Sequence, residues 1–444
     1  MNKSEKFVRD LLELKSREIP GEVKARVKES LLDYLAVTYA GAAFQKEKVE
    51  NYFSFSQPEE GCCSAIGTGR KLALKEAVFL NGLNGHALDY DDGTTAGIIH
   101  IGSPIFSLLL PLAQKYGKTI TEVLDAAVIG YEASYTMAVS IQPGHKARGF
   151  HATGTCGTLG AAIAASCLLG LTYEETFNAF AAACVSASGM LKVLDEGSQL
   201  KCYNVAKTAL LALTSVQLAK AGFTGSPDPL GGSRGFLAMM TGSEDTELEP
   251  LLRFGTYAVS KSYTKPYASC RYTHPAVEAA VFLRGSSWIA AEDIEAVNIK
   301  AYSIAVAGHD HTEIPNPYSA KMSIPYATAA GFVFGKAGLQ EFTPEMVANE
   351  RLLGLVRKVR VVADEELSRS FPEKQSTIVE VVTADGRVVS KQVDYPKGEP
   401  ENPFTEEEFK ERYLGLMDYA GVGRDFSIAL YNAVRSGNDA EVKI

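Results

Sequence analysis

The chain has 444 residues, 46% hydrophobic and 22% charged, a balance that excludes a mostly disordered polypeptide and suggests two domains. Its formal net charge of -9 argues against nucleic acid as the main partner, because phosphate binding needs a basic face. A small anion remains open to it, since a few lysines make a pocket locally positive.

The opening stretch MNKSEKFVRDLLELKS reads as a charged amphipathic helix and lacks the apolar core and cleavage site of a signal peptide. Pro20 opens a second helix, on which Val23, Val27, Leu31 and Tyr34 recur on one face. Further helices are expected over 73–83, 120–139, 158–169 and 173–184, rich in the small residues that let helices approach closely. The longest apolar run, TLGAAIAASCLLGL, is too short to span a bilayer. Up to about residue 260 no strand alternation is apparent. Seven cysteines without framework or CxxC spacing fit a reducing cytoplasm and give no zinc site.

The pattern changes after Tyr267. AVNIKAYSIAV, LVRKVRVVAD and STIVEVVTADGRVVSKQV are β-branched and alternating, and Asp385-Gly386 between two apolar runs marks a hairpin. KMSIPYATAAGFVFGKAG between them reads as one small-residue helix. TEEEFKERYLGLMDYAG returns to helix, with Thr405 as its N-terminal cap. The expected fold is therefore mainly α: a large helical domain from residues 1–266 and 396–444, with a smaller α/β domain over 267–395.

The chemistry-bearing stretch is HALDYDDG, followed by His100. On a helix His86 and Asp89 would share a face. A metal would need at least three ligands, such as His86, Asp89 and His100, and the calcium-loop pattern is absent. A general base needs only one carboxylate beside a partner. In the plainest reading, Asp91 and Asp92 cap nearby backbone and His86 fills a polar gap. Similar residues recur elsewhere. RGFHATGT places His151 in a loop before an Ala-rich helix, QLKCYNVAK supplies Lys201 and Lys207, and TKPYASCRYTH supplies Lys265, Cys270, Arg271 and His274. Histidine suits proton transfer near neutrality, and lysine suits carboxylate binding. GxGxxG, P-loop, GxSxG and HExxH patterns are all absent.

NGLNGHALDYDD, GFHATGT, the Lys201 region, KPYASCRYTH and AKMSIPYATAAG, in that order, resemble the MmgE/PrpD family across nearly the whole chain. The family includes 2-methylcitrate dehydratase, cis-aconitate decarboxylase and iminodisuccinate epimerase. The resemblance implies a homodimer, no metal or organic cofactor, and an active site between a helical domain and a small lid. It assigns Asp89, Thr94, His100, His151, Lys201 and Lys265 to the pocket. Two positions depart from it: Lys-Cys-Tyr-Asn-Val stands where the family commonly has KPxHxG, and Cys270 stands where the decarboxylase has histidine.

These activities share proton transfer beside a carboxylate, which requires a nearby base and cations to take up developing charge. The expected substrate is a small di- or tricarboxylic acid. Lys201 and Lys265 are read as its clamps, Asp89 and His100 as proton-transfer groups, and His151 as proton donor or oxyanion stabiliser. Cys270 is read as a further proton carrier, with Thr94, His86, Lys207, Arg271 and His274 as substrate-binding candidates. A dehydratase-like lyase is placed ahead of an epimerase, and a non-catalytic binding protein comes third.

Overall fold

A computed structural model of the chain describes residues 1–193, 198–287 and 289–437; the final stretch 438–444, assigned above to the helical domain, lies outside them. Asn2 caps the helix Lys3–Lys15, and Pro20 immediately precedes the helix Gly21–Phe44. Helices Leu74–Gly85, Gly102–Tyr116, Ile120–Ile141, Ala152–Leu168, Tyr173–Ser186 and Lys201–Lys220 pack on one another around a continuous apolar core. At its centre every residue of Ala152–Leu168 is buried. Small side chains permit this. A Cβ on Gly160 would lie 1.9 Å from Ser134 Oγ and 2.7 Å from the Gly130 carbonyl oxygen, so Gly160 sets the approach of Ile120–Ile141.

Two local expectations fail in this half. Strands β1 (Glu60–Ala65) and β2 (Arg70–Leu72) form an antiparallel hairpin that EGCCSA, with no apolar alternation, did not signal. The helix before HALDYDDG stops at Gly85, so His86 and Asp89 share no helical face. Instead Asp89 lies in a turn with φ of +53°, in the left-handed region that aspartate tolerates better than most residues.

Beyond residue 267 a four-stranded sheet has the order β4-β3-β5-β6, from β3 (Ile294–Ala301), β4 (Val359–Ala363), β5 (Thr377–Thr383) and β6 (Val388–Val393). β3 and β4 run parallel, and the remaining pairs are antiparallel. Asp385-Gly386 turns β5 into β6, with Gly386 at φ of +86°. Helix His274–Ser286 packs on β5 and β6, and Ile324–Phe334 packs on that helix. The single helix expected over KMSIPYATAAG divides into Pro317–Met322 and Ile324–Phe334, because Ser323 leaves helical conformation and caps the second.

The tail helices Glu406–Tyr419 and Arg424–Ser436 return to pack on Gly21–Phe44. Thr405 caps the first through a reciprocal box with Glu408, as expected. Among the described residues, no helix is long and apolar enough to cross a membrane.

Candidate active site

A cavity of about 750 Å³ is lined by Asp89, Thr94, His100, His151, Lys201, Lys265, Cys270 and Arg271, drawn from both halves of the chain. Of the residues singled out from sequence, His86 flanks a small neighbouring pocket shared with Asp89 and Lys201. Lys207 and His274 do not line the cavity.

Asp89 is the hub. Lys265 Nζ donates to its Oδ1 at 2.9 Å, and Lys201 Nζ lies 2.7 Å from Oδ2. Burial opposes the charge, but Lys201, Lys265 and the adjacent histidines outweigh it and hold the carboxyl well below the usual range. Asp89 is therefore ionised, yet a poor base while both lysines stay in place.

The lysines differ. Lys265 is buried and also donates to the carbonyls of Asp89, at 2.6 Å, and Ser269, at 3.2 Å, so all three N–H groups are used. The clamp role read for Lys265 does not fit this geometry; here it organises Asp89. Lys201 stands at the N-terminus of Lys201–Lys220, is 15% exposed, and approaches Oδ2 off the direction of a good hydrogen bond. Its ammonium can reach an incoming anion.

His100 Nδ1 donates to the Asp92 carbonyl at 2.8 Å, with Asp91 Oδ2 3.4 Å away, which leaves Nε2 as a lone pair 3.7 Å from Asp89 Oδ1. Burial lowers its pKa to about 4, so the ring is neutral near pH 7. His151 is fixed in the other tautomer. The Asn204 amide donates to its Nδ1 at 3.1 Å, leaving the proton on Nε2, and burial pushes its pKa well down. Thr94 Oγ1 is buried on the cavity wall without a protein partner.

The second carboxylates have separate tasks. Asp91 Oδ1 accepts from His86 Nδ1 at 2.8 Å. Asp92 accepts from Tyr131 and from the Gly102 N–H, so it caps the helix Gly102–Tyr116 from outside that helix. Ligand atoms of His86, Asp89, Asp91 and His100 lie within 4.8 Å of one another, as a metal site would need. Two ammonium groups already face the Asp89 oxygens, however, so a metal ion there would meet like charge.

Arg271 is not available to a substrate. Its guanidinium pairs with Glu399 at 2.7 Å and donates to His274 Nδ1 and the carbonyls of Pro396 and Lys397. His274 Nε2 in turn donates to the Ser269 carbonyl, so both residues brace the 265–274 loop. Lys207 instead donates to Ser188.

Cys270 lines the same cavity with Sγ 3.6 Å from His309 Nε2. Burial alone would raise the thiol, but the facing His309 imidazole reverses the sign and brings it to about 7. Sequence reading missed His309, Lys146 and Tyr272. The first lies in HDH after Gly308, a cluster resembling the histidine-bearing turns noted elsewhere. Lys146 lies in GHKARGFH beside His151; its Nζ donates to Tyr272 Oη at 2.8 Å, and burial lowers it to about 8.

A helical protein with a small mixed sheet and an internal cavity of paired cations, neutral imidazoles and a thiol has the make-up of an acid–base enzyme. The MmgE/PrpD N-terminal domain matches residues 5–249 and the MmgE/PrpD C-terminal domain matches residues 267–425. The chain belongs to the MmgE/PrpD family. It is 28% identical to a cis-aconitate decarboxylase-like protein of Aspergillus oryzae, over 91% of this chain and 88% of that one. It is 27% identical to a cis-aconitate decarboxylase of Aspergillus terreus (91% and 86% covered) and 22% identical to that of Mus musculus (92% and 86%). The family and these relatives identify it as an enzyme related to cis-aconitate decarboxylase.

Proposed function

We propose that this enzyme is a lyase acting on a small di- or tricarboxylic acid through a carbanion or enolate formed beside a carboxylate. The carrying observation is the meeting of Lys201, His100 and His151 around Asp89 in one cavity. Lys201, with Thr94 Oγ1, binds the substrate carboxylate by charge and hydrogen bonding. The His100 Nε2 lone pair takes the proton, with Asp91 behind its Nδ1 to support the imidazolium. The neutral His151 Nε2–H donates to the oxygen on which charge develops. The Asp89 carboxylate, with one ammonium group on each oxygen, offsets the repulsion between the two lysines.

Loss of a β-hydroxyl as water makes the reaction a dehydration. Loss of a carboxylate as carbon dioxide instead leaves its bonding pair on carbon, and that carbanion then takes a proton. The names of the relatives favour the second course. Cys270 supports an epimerase as the alternative, because a thiol on the cavity wall can return a proton to another face. The enzyme is also proposed to work as a homodimer.

Incubating the protein with hydroxylated, unsaturated and amino-substituted tri- and dicarboxylic acids in deuterium oxide, followed by proton NMR and carbon dioxide detection, tests the reading. Lyase action predicts loss of water or carbon dioxide with a changed set of alkenyl protons. Exchange with inversion and no loss would establish the epimerase. The absence of exchange and loss across all three acid classes would overturn both.

A further inference from the structure

The cavity holds a second group of polar side chains with no hydrogen bond to the Asp89 hub. Cys270 is held by its N–H to the Lys321 carbonyl at 2.9 Å, and by its own carbonyl, which accepts from Thr273. His309 approaches from the turn after the short helix Ser303–Val306, with Nδ1–H donating to the Ala307 carbonyl at 2.9 Å. That bond fixes the tautomer and turns Nε2 toward Sγ, 3.6 Å away. Tyr272 packs edge-on against the His309 ring, with centroids 5.2 Å apart, and limits its rotation. A thiol, a facing imidazole and a backbone acceptor that orients the imidazole form the arrangement by which proteins activate cysteine.

We propose that His309 and Cys270 form a thiolate–imidazolium pair that serves as a second proton carrier in this cavity, separate from the Asp89–His100 group. This rests on the acid–base reading of the cavity given above. In the resting pair the thiol proton lies on His309 Nε2. Passed back from Nε2 to Sγ and on to a substrate carbanion, that proton leaves behind a thiolate and a neutral imidazole, and solvent restores it between turnovers. In the reverse sense the thiolate takes a proton from carbon and becomes a thiol. His309 touches the thiol, so it is a positioning residue here, and Cys270 faces the substrate space.

Other charged or titratable groups facing Cys270 are Lys201, Asp89, Lys146, Tyr272 and Tyr302. Lys201 favours the thiolate and Asp89 opposes it, so the two offset in sign. Lys146 adds a cation on the side of Tyr272. His309 is the partner that remains in direct contact.

The rate of iodoacetamide alkylation at Cys270, read from the mass of its peptide between pH 5.5 and 10, tests the pair without any substrate. In the wild type the rate should reach half its maximum near pH 7. In His309→Asn the midpoint should rise by more than one pH unit, and alkylation at pH 7 should slow about ten-fold, following the thiolate fraction. An unchanged midpoint in His309→Asn would overturn the proposal. Should that variant fail to fold, thiolate absorbance near 240 nm in the wild type minus Cys270→Ser replaces it. A midpoint near 7 supports the pair, and one at or above the ordinary thiol value of about 8.5 sinks it. An alkylation midpoint near 7 that shifts upward in His309→Asn, in a protein that turns over no carboxylic acid, would retain the pair and discard the lyase reading. Turnover with an unperturbed thiol would do the reverse.

Discussion

Asp89 combines three unusual features: a left-handed backbone, almost complete burial, and two ammonium groups within 3 Å. Strain of this kind persists only where surroundings hold it. Asparagine also tolerates that backbone, so Asp89→Asn removes the charge with little change in shape. The variant leaves Lys265 buried without a counter-charge, and loss of about 3 kcal/mol at pH 7 is expected from urea unfolding. The pH dependence follows from the lowered carboxyl. Its contribution is complete above the unfolded aspartate value of about 3.9 and is lost as pH falls through the lower folded one. The urea midpoint of the wild type should therefore drop more steeply as pH falls below about 4 than that of Asp89→Asn; parallel slopes would contradict the ion-pair account. At this scale sequence patterns found the cluster but not its division of labour. Arg271 and Lys265 carry the charge a substrate clamp needs. What consumes them, Glu399 in one case and the Asp89 carbonyl and carboxylate in the other, comes from parts of the chain that no spacing rule connects. His309 was overlooked for the same reason, because its partner lies 39 residues earlier.

The helix Gly102–Tyr116 has no side-chain cap of its own, since Ile101 occupies the N-cap position. Asp92 supplies the missing acceptor to the Gly102 N–H at 2.9 Å, while Tyr131 from Ile120–Ile141 donates to its other oxygen. One carboxylate thus joins the DYDD turn to two core helices, and the position of His100, two residues before the helix, depends on it. A Cβ on Gly102 would lie 2.5 Å from Tyr131 Oη and 2.8 Å from Asp92 Oδ1. Gly102→Ala should therefore cost about 1–3 kcal/mol in denaturant unfolding and reduce turnover through His100. A variant within 0.5 kcal/mol of wild type, as is roughly usual for neutral surface changes, would show that the cap is dispensable. Most elements were legible because their signals are local: Thr405 with Glu408, Asp385-Gly386, and the apolar period of Gly21–Phe44. The β1–β2 hairpin and the break at Ser323 were not. The first has no alternating face, and the second rests on Ser323 caps that look like ordinary helical small residues.

The whole molecule is tied together at Arg412. From the tail helix Glu406–Tyr419 it pairs with Asp33 on Gly21–Phe44, donates to the Lys265 carbonyl at 2.6 Å, and donates to the Tyr90 carbonyl at 3.0 Å. One guanidinium thus spans the N-terminal helices, the DYDD turn and the loop that carries Cys270. The division into a discontinuous helical domain and a 267–395 unit is proposed on the same packing, because the tail helices rest on Gly21–Phe44. Composition and period could place the tail in a helix, but the fork of Arg412 reaches three segments that only the folded chain assembles. A lysine keeps the charge but lacks the planar fork. Arg412→Lys is therefore expected to retain the Asp33 pair and lose the backbone bonds, destabilising by about 1–3 kcal/mol and lowering kcat more than it raises KM. Asp33→Asn should cost about 3 kcal/mol or more, since it leaves a buried arginine uncompensated. Because both variants act on one network, the double variant should fall short of the sum by at least about 0.5 kcal/mol in urea unfolding. Strict additivity, or a kcat unchanged in folded Arg412→Lys, would mean that the tail only covers the core and that the site holds its geometry without it.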